Sequence, residues 1–257
     1  MNTDMHIPSD ALKPFVKAYL NMESHDELTN RILPDTSLVM VFKYKGQVNF
    51  IMGDSRRSAP SFAISGLRKS ARLINYAKNS GSILVIFKEA GAAAFFKEPL
   101  NELFEESISL DIFTSRQRLS LIEEQLTEAK NTCQRIAIIE TFLQSRLYDR
   151  SPDPLILTAL QTIHLAKGTI KIQDLAGALH ISQDAFEKRF RRIVGTSPKQ
   201  FSSIVRMKAI IAGGRQKQRL SEIAFDAGYF DQAHFSKEFR LFTGQSPTDF
   251  FKVPSVQ

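Results

Sequence analysis

Two stretches of this sequence carry similar polar chemistry at the same spacing. Gln183, Asp184, Glu187, Lys188 and Arg191 form one set, and Gln232, Ala233, Ser236, Lys237 and Arg240 the other. On a helix, steps of three and four residues place each set on a single face. Gln can pair bidentately with adenine and Lys with guanine, so each face could read base edges in the major groove. One such face alone reads equally well as a solvated helix surface. The two faces, however, belong to a repeat. Gln183–Phe201 laid over Gln232–Phe250, at an offset of 49, gives nine identities in nineteen positions, among them Phe186/Phe235, Lys188/Lys237, Phe190/Phe239, Arg191/Arg240, Gly195/Gly244 and Pro198/Pro247. Repetition of this kind decides the architecture before any other signal does.

The elements that must position these faces are read from the apolar residues. In the first copy Ile172, Leu175, Ala176 and Leu179 have the spacing of a buried helical stripe, and His180-Ile181-Ser182 makes a turn. Ser182 is placed to cap a second helix whose core side is Phe186, Phe190 and Ile193. In the second copy Leu220, Ile223 and Ala224 precede Ala227-Gly228-Tyr229-Phe230, and Asp231 caps a helix over Phe235, Phe239 and Phe242. The leading helices align at an offset of 48 (Leu175/Ile223, Ala176/Ala224), so the second turn has one extra residue. Gly228 supplies the backbone freedom that a helix end needs. Each copy is thus a helix-turn-helix.

Charge follows the same division. Of the formal +7, all lies in Leu155–Gln257, with 15 Lys/Arg against 8 Asp/Glu; residues 1–154 hold 19 of each. A basic half carrying the repeated helices beside a neutral half is what binding to a polyanion requires.

Ser197-Pro198-Lys199-Gln200-Phe201 followed by Val205–Ile211, and Ala224-Phe225-Asp226-Ala227-Gly228-Tyr229 followed by Phe235, Phe239, Gly244 and Ser246-Pro247, resemble the DNA-binding domain of the AraC/XylS family of bacterial transcription regulators. The resemblance covers about 100 of the 257 residues. It implies seven helices, with a long one joining two helix-turn-helix units, and double-stranded promoter DNA as the partner. RNA polymerase, a small-molecule effector and a second copy of the chain are further candidate partners.

The first half reads as β-structure. Ser37–Phe42, Val48–Met52, Ser61–Gly66, Ala71–Tyr76 and Ser82–Phe87 are apolar or alternating runs separated by short polar turns. Five or six strands of this kind suggest a small sandwich or barrel, with a hairpin across Asn79-Ser80-Gly81. Ala11–Leu20 reads as a short helical or extended lead-in broken at Pro14, and Gly91–Lys97 and Leu100–Phe104 as short helices. Pro34-Asp35 before a strand, and Ile86–Ala92 with Ala90 where proline is usual, resemble the sensor half of certain regulators of the same family. From Ser115 to Leu147 two helical stripes follow, Leu119/Ile122/Leu126 and Ile136/Ile139/Leu143/Leu147, which either form a dimer seam or pack on the barrel.

The fold class expected is α+β. Residues 1–150 form a sensor or dimerisation domain (β-rich over 1–113, helical over 114–150), and 151–257 a double helix-turn-helix domain. Ser151-Pro152-Asp153-Pro154 marks the division, since two prolines block a continuous helix.

No catalytic set, metal site or cofactor is expected. There is no phosphate loop, and Ala63-Ile64-Ser65-Gly66 lacks the leading glycine of a nucleophile elbow. Glu105-Glu106 and Glu123-Glu124 are adjacent pairs that point apart on a helix. The five histidines show no metal-ligand spacing, and Cys133 is alone. Without a leader, and with apolar runs such as Ile83–Phe87 far shorter than a membrane span, a cytoplasmic, nucleoid-associated protein is expected. The function implied is sequence-specific transcription regulation. It would be modulated by an effector at the first half, or, alternatively, without any small ligand, by abundance or a protein partner.

Overall fold

The structure is a computed structural model that describes residues 1–148, 151–214 and 219–252. The expected division at residue 150 falls on 149–150, and the expected end of the second domain on 253–257, both outside the described residues.

The first half holds ten strands: β1 (Asn2–His6), β2 (Val16–Ser24), β3 (Leu28–Ile32), β4 (Val39–Lys45), β5 (Val48–Met52), β6 (Ser55–Ser58), β7 (Phe62–Ser65), β8 (Arg72–Tyr76), β9 (Ser80–Phe87) and β10 (Ser107–Ser109). They form two antiparallel sheets, one in the order β1-β2-β9-β4-β7-β10 and the other β3-β8-β5-β6. Met22 and Leu84 from the first sheet meet Val48, Ile74 and Tyr76 from the second, which closes the sandwich. On β4 the alternation puts Met40, Phe42 and Tyr44 in the core.

Two sequence expectations are corrected here. The Asn79–Gly81 turn does not close a hairpin. β8 pairs with β3 and β5, whereas β9 pairs with β2 and β4. Both edges of β9 are already occupied, so the turn carries the chain from one sheet to the other. The strand count is also higher than five or six. The additional strands β1, β3 and β6 are polar, mostly exposed segments without apolar alternation. Pro14 lies in a turn, and β2 starts two residues later, so of the helical and extended readings of Ala11–Leu20 the extended one holds from Val16 onward.

Three short 3-10 helices follow in the first half, η1 (Gly91–Ala94), η2 (Leu100–Leu103) and η3 (Leu110–Ile112). Helices α1 (Arg116–Glu128) and α2 (Thr132–Gln144) then pack on the first sheet. Leu119, Ile122, Leu126, Ile136, Ile139 and Leu143 are buried, and the Phe42 and Phe142 rings meet edge-on at 5.8 Å. The apolar stripes expected there are therefore satisfied within the chain. The second half is helical: α3 (Pro154–Leu165), α4 (Ile172–Ala178), α5 (Gln183–Val194), α6 (Pro198–Gly213), α7 (Leu220–Asp226), α8 (Gln232–Thr243) and α9 (Pro247–Phe250). No helix among the described residues is long and apolar enough to cross a membrane.

Candidate nucleic-acid interface

The repeat in the sequence is a repeat in space. Phe186 and Phe190 meet at 5.6 Å between ring centroids, and their counterparts Phe235 and Phe239 at 5.5 Å. Phe190 then contacts Phe201 at 5.6 Å, as Phe239 contacts Phe250 at 5.3 Å. All of these rings except Phe250 are fully buried, and such edge-on pairs add to the stabilisation from area alone. The Ser182 hydroxyl accepts from the Ala185 amide at 3.3 Å, and the Asp231 carboxylate from the His234 amide at 2.7 Å. These caps fix where α5 and α8 begin. Both helices end on a glycine with positive φ, +93° at Gly195 and +75° at Gly244.

The turns differ by one residue, and the hydrogen bonds locate it. The Ile181 amide donates to the Ala176 carbonyl at 3.2 Å; the Tyr229 amide donates to Ala224 at 2.9 Å. His180, at φ +53°, and Gly228, at +75°, precede them. Ile181 therefore corresponds to Tyr229, and Phe230 is the insertion. Its side chain is 97 % exposed, directly before the cap of α8. Sequence reading singled out neither Phe230 nor the 80 % exposed Phe225 as a surface group. The change of offset from 48 to 49 was the available signal for the first.

None of the ten proposed readers is buried among the phenylalanines of its helix. Glu187 and Ser236 are half-buried and the other eight are exposed. The two faces differ in charge. On α5, Gln183 donates to Glu187 at 3.0 Å, Arg191 reaches Glu187 at 3.4 Å, and Lys188 pairs with Asp184 at 3.0 Å. Lys188 and Arg191 are thus matched along their own helix. On α8, Lys237 and Arg240 have no carboxylate partner among the described residues.

Helix α6 ties the units together. The Arg206 guanidinium sits 4.4 Å from the Tyr229 ring centroid and 3.7 Å from Glu238, whose carboxylate accepts from the Tyr229 hydroxyl at 2.8 Å. Burial, with the Glu238 charge beside it, pushes the Tyr229 phenol well above its ordinary value. On the other side, Gly168 lets the loop after α3 approach α6. A Cβ there would come within 2.2 Å of the Ser202 carbonyl.

The first half touches α3, α5, α6 and the end of α8. Helix α5 packs on η1 and η2, and Asp35 pairs with Lys208 of α6 at 2.5 Å. Glu89 takes His164 of α3 at 2.8 Å, and the Arg31 side chain lies beside Gly244 at the end of α8. Among the described residues, no group of three or more His, Cys, Asp or Glu could hold a metal ion.

Comparison with known proteins matches two separate stretches of the chain. Residues 175–252 match a family described as a helix-turn-helix domain, and residues 4–109 one described as a domain of unknown function, DUF6597. The uncharacterized HTH-type transcriptional regulator YisR of Bacillus subtilis is 34% identical over 99 residues, 37% of this chain and 33% of that protein. The Msm operon regulatory protein of Streptococcus mutans is 28% identical over 156 residues, 59% and 56% of the two chains. The chain spans a third to about half the length of these curated relatives. Among solved structures, ToxT from Vibrio cholerae is similar with a TM-score of 0.46 at 11% identity, over 98% of this chain and 97% of that one. With two helix-turn-helix units on one linking helix, residues 175–252 form an AraC-type helix-turn-helix domain, similar to that of relatives named as transcriptional regulators.

Proposed function

We propose that this chain is a sequence-specific, DNA-binding transcription regulator that places α5 and α8 in successive major grooves of promoter DNA. One observation carries the reading: two helices with the same buried pair of phenylalanines each turn a polar face to solvent and are held on a single linking helix. Units joined this way on one side of a duplex must reach segments about one helical turn, roughly 34 Å, apart. Their faces differ residue by residue, so the site they read is asymmetric.

The free cations of α8 make it the stronger contact with phosphate and guanine, while the self-paired α5 face contributes selection more than attraction. Acidic groups such as Asp184 and Glu187 can accept from cytosine N4 and oppose phosphate. Residues 1–148 act as the regulatory half, resting on α5, α6 and the end of α8. A cavity among its strands favours control by a small ligand over control by abundance or a protein partner.

The experiment is a footprint of the full chain on selected duplexes, with affinity measured across salt. Two protected segments one turn apart without palindromic symmetry, and a steep fall of affinity with salt, are expected. A short palindrome with one unit per monomer, or affinity indifferent to salt, would contradict the proposal.

A further inference from the structure

A cavity of about 530 Å³ opens between β5, β6, β8 and the segment leading into β10. Its apolar wall includes Phe50, Met52, Pro60 and Leu73, and its basic wall Arg57, Arg68 and Arg72. The strand register explains the grouping. Phe50 stands opposite Arg57 on one side and Ile74 on the other, so Arg57, Phe50 and Arg72 share a sheet face.

The two deeper guanidiniums are held but not neutralised. Arg72 lies 4.3 Å from the Phe50 ring centroid and donates to the Ser107 hydroxyl at 2.5 Å. Arg68 donates to the Glu105 carbonyl, and its Nε is buried without a partner. Neither has a carboxylate at ion-pair distance among the described residues, and Glu105 is turned to Lys69 at 3.1 Å. Glu106 also borders the cavity, so the wall carries three guanidiniums against two carboxylates, one of them already paired. Burial, and then the charge of Arg68, bring the Arg72 pKa down to about 10, which leaves Arg72 cationic at neutral pH. Glu105 itself has a φ of +64°, a left-handed backbone at the residue whose carbonyl Arg68 holds.

Two like charges drawn partly out of water beside an aromatic wall form an arrangement that an anion completes. A guanidinium presents a planar fork that a carboxylate matches with two hydrogen bonds. The cavity volume lies within the range of small-molecule sites, and its apolar wall would cover a hydrophobic body.

We propose that this cavity binds a small organic carboxylate with an apolar body, the carboxylate on Arg68 and Arg72 and the body against Phe50 and Met52. Its role as the effector site rests on the regulatory reading of the first half given above. The binding itself does not.

The test is calorimetry of the full chain at pH 7 with benzoate, 3-phenylpropanoate and 4-phenylbutanoate, each beside its neutral primary amide. At least one acid should bind with Kd below about 1 mM. Its amide should bind about tenfold more weakly, because it cannot form the charge-assisted pair. Arg68→Gln and Arg72→Gln should each weaken the acid by a similar factor and leave the amide unchanged. If a Gln variant fails to fold, Arg72→Lys, which keeps the charge and loses the fork, carries the same comparison. Acid and amide binding alike, wild-type affinity in the arginine variants, or no acid binding at all would overturn the site. Duplex binding measured without any acid is read separately. Its loss would sink the DNA-binding reading and leave the cavity proposal standing.

Discussion

Lys237 and Phe239 stand two residues apart on α8 and face opposite ways, one to solvent and the other fully buried. Lys237→Ala should cost about 1–3 kcal/mol on a preferred duplex and little on random DNA if the ammonium reads a base. Its melting temperature should not change. Phe239→Ala removes the ring that meets Phe235, Phe250 and Phe251, and should cost roughly 3–5 kcal/mol of stability. Binding would then be lost through unfolding. Comparing melting temperature with affinity for both kinds of duplex separates the two, and a stable Phe239→Ala protein with normal affinity would contradict the helix orientation. On α5 the expectation reverses. Asp184→Asn frees Lys188 from its 3.0 Å pair, so affinity for all duplexes should rise. The salt slope should steepen by about 0.9, one more phosphate neutralised. Unchanged affinity and slope would mean that Lys188 does not face the backbone.

At the scale of elements, two glycines of the first unit make opposite predictions. Gly168 has a φ of +74° and no space for a side chain, so Gly168→Ala should lower stability by about 2 kcal/mol or more by forcing the α3–α4 loop off α6. Gly177 lies within α4, exposed and with nothing near its missing Cβ, so Gly177→Ala should stabilise by about 0.4–1 kcal/mol. Thermal unfolding of both variants decides the matter, and equal shifts would refute the packing. The helical half was legible in the sequence because its elements are long, amphipathic and duplicated. Ser182, Asp231 and the five core phenylalanines of α5 and α8 could all be named from spacing. The sheets were less legible because their pairing is non-local. The Asn79–Gly81 turn has the composition of a hairpin, yet the two strands it joins lie in different sheets, and nothing within those residues records which edges are already taken. Edge strands such as Ser55–Ser58 carry no apolar alternation at all. The reader faces were placed by helical period alone. The internal pairing of α5, the exposed insertion at Phe230 and the arginines of the cavity depend on three-dimensional proximity that no spacing rule contains.

For the whole molecule, the question is what holds the first half against the helix-turn-helix units. Polar and apolar contacts both cross the seam. The Asp35–Lys208 pair is about half exposed on each side, and exposed pairs contribute little. Leu100 of η2 is nearly fully buried where that element meets α5, and its carbonyl would stand 3.3 Å from a Cβ at Gly195. The apolar contact is therefore the main hold, with the ion pair adjusting it. Partial desolvation raises the Asp35 carboxyl, but the hydrogen bond and charge of Lys208, together with Thr36, outweigh this and leave it below its ordinary value. A depressed carboxyl contributes stability above its unfolded pKa and loses it as the pH falls through the folded one. The pair should therefore be intact at neutral pH and released only in acid, below the normal range of an aspartate. Hydrogen exchange across α5 and η2 reads the seam directly. Lys208→Met should leave protection of these segments nearly unchanged at pH 7 and remove the acid dependence. Leu100→Ala should empty a core position at a cost of about 2–5 kcal/mol. It should raise exchange in α5 and η2 while β2 and β9, at the centre of the sandwich, stay protected. Should Lys208→Met loosen the seam as much as Leu100→Ala, the ion pair and not the buried leucine would be holding the two halves together.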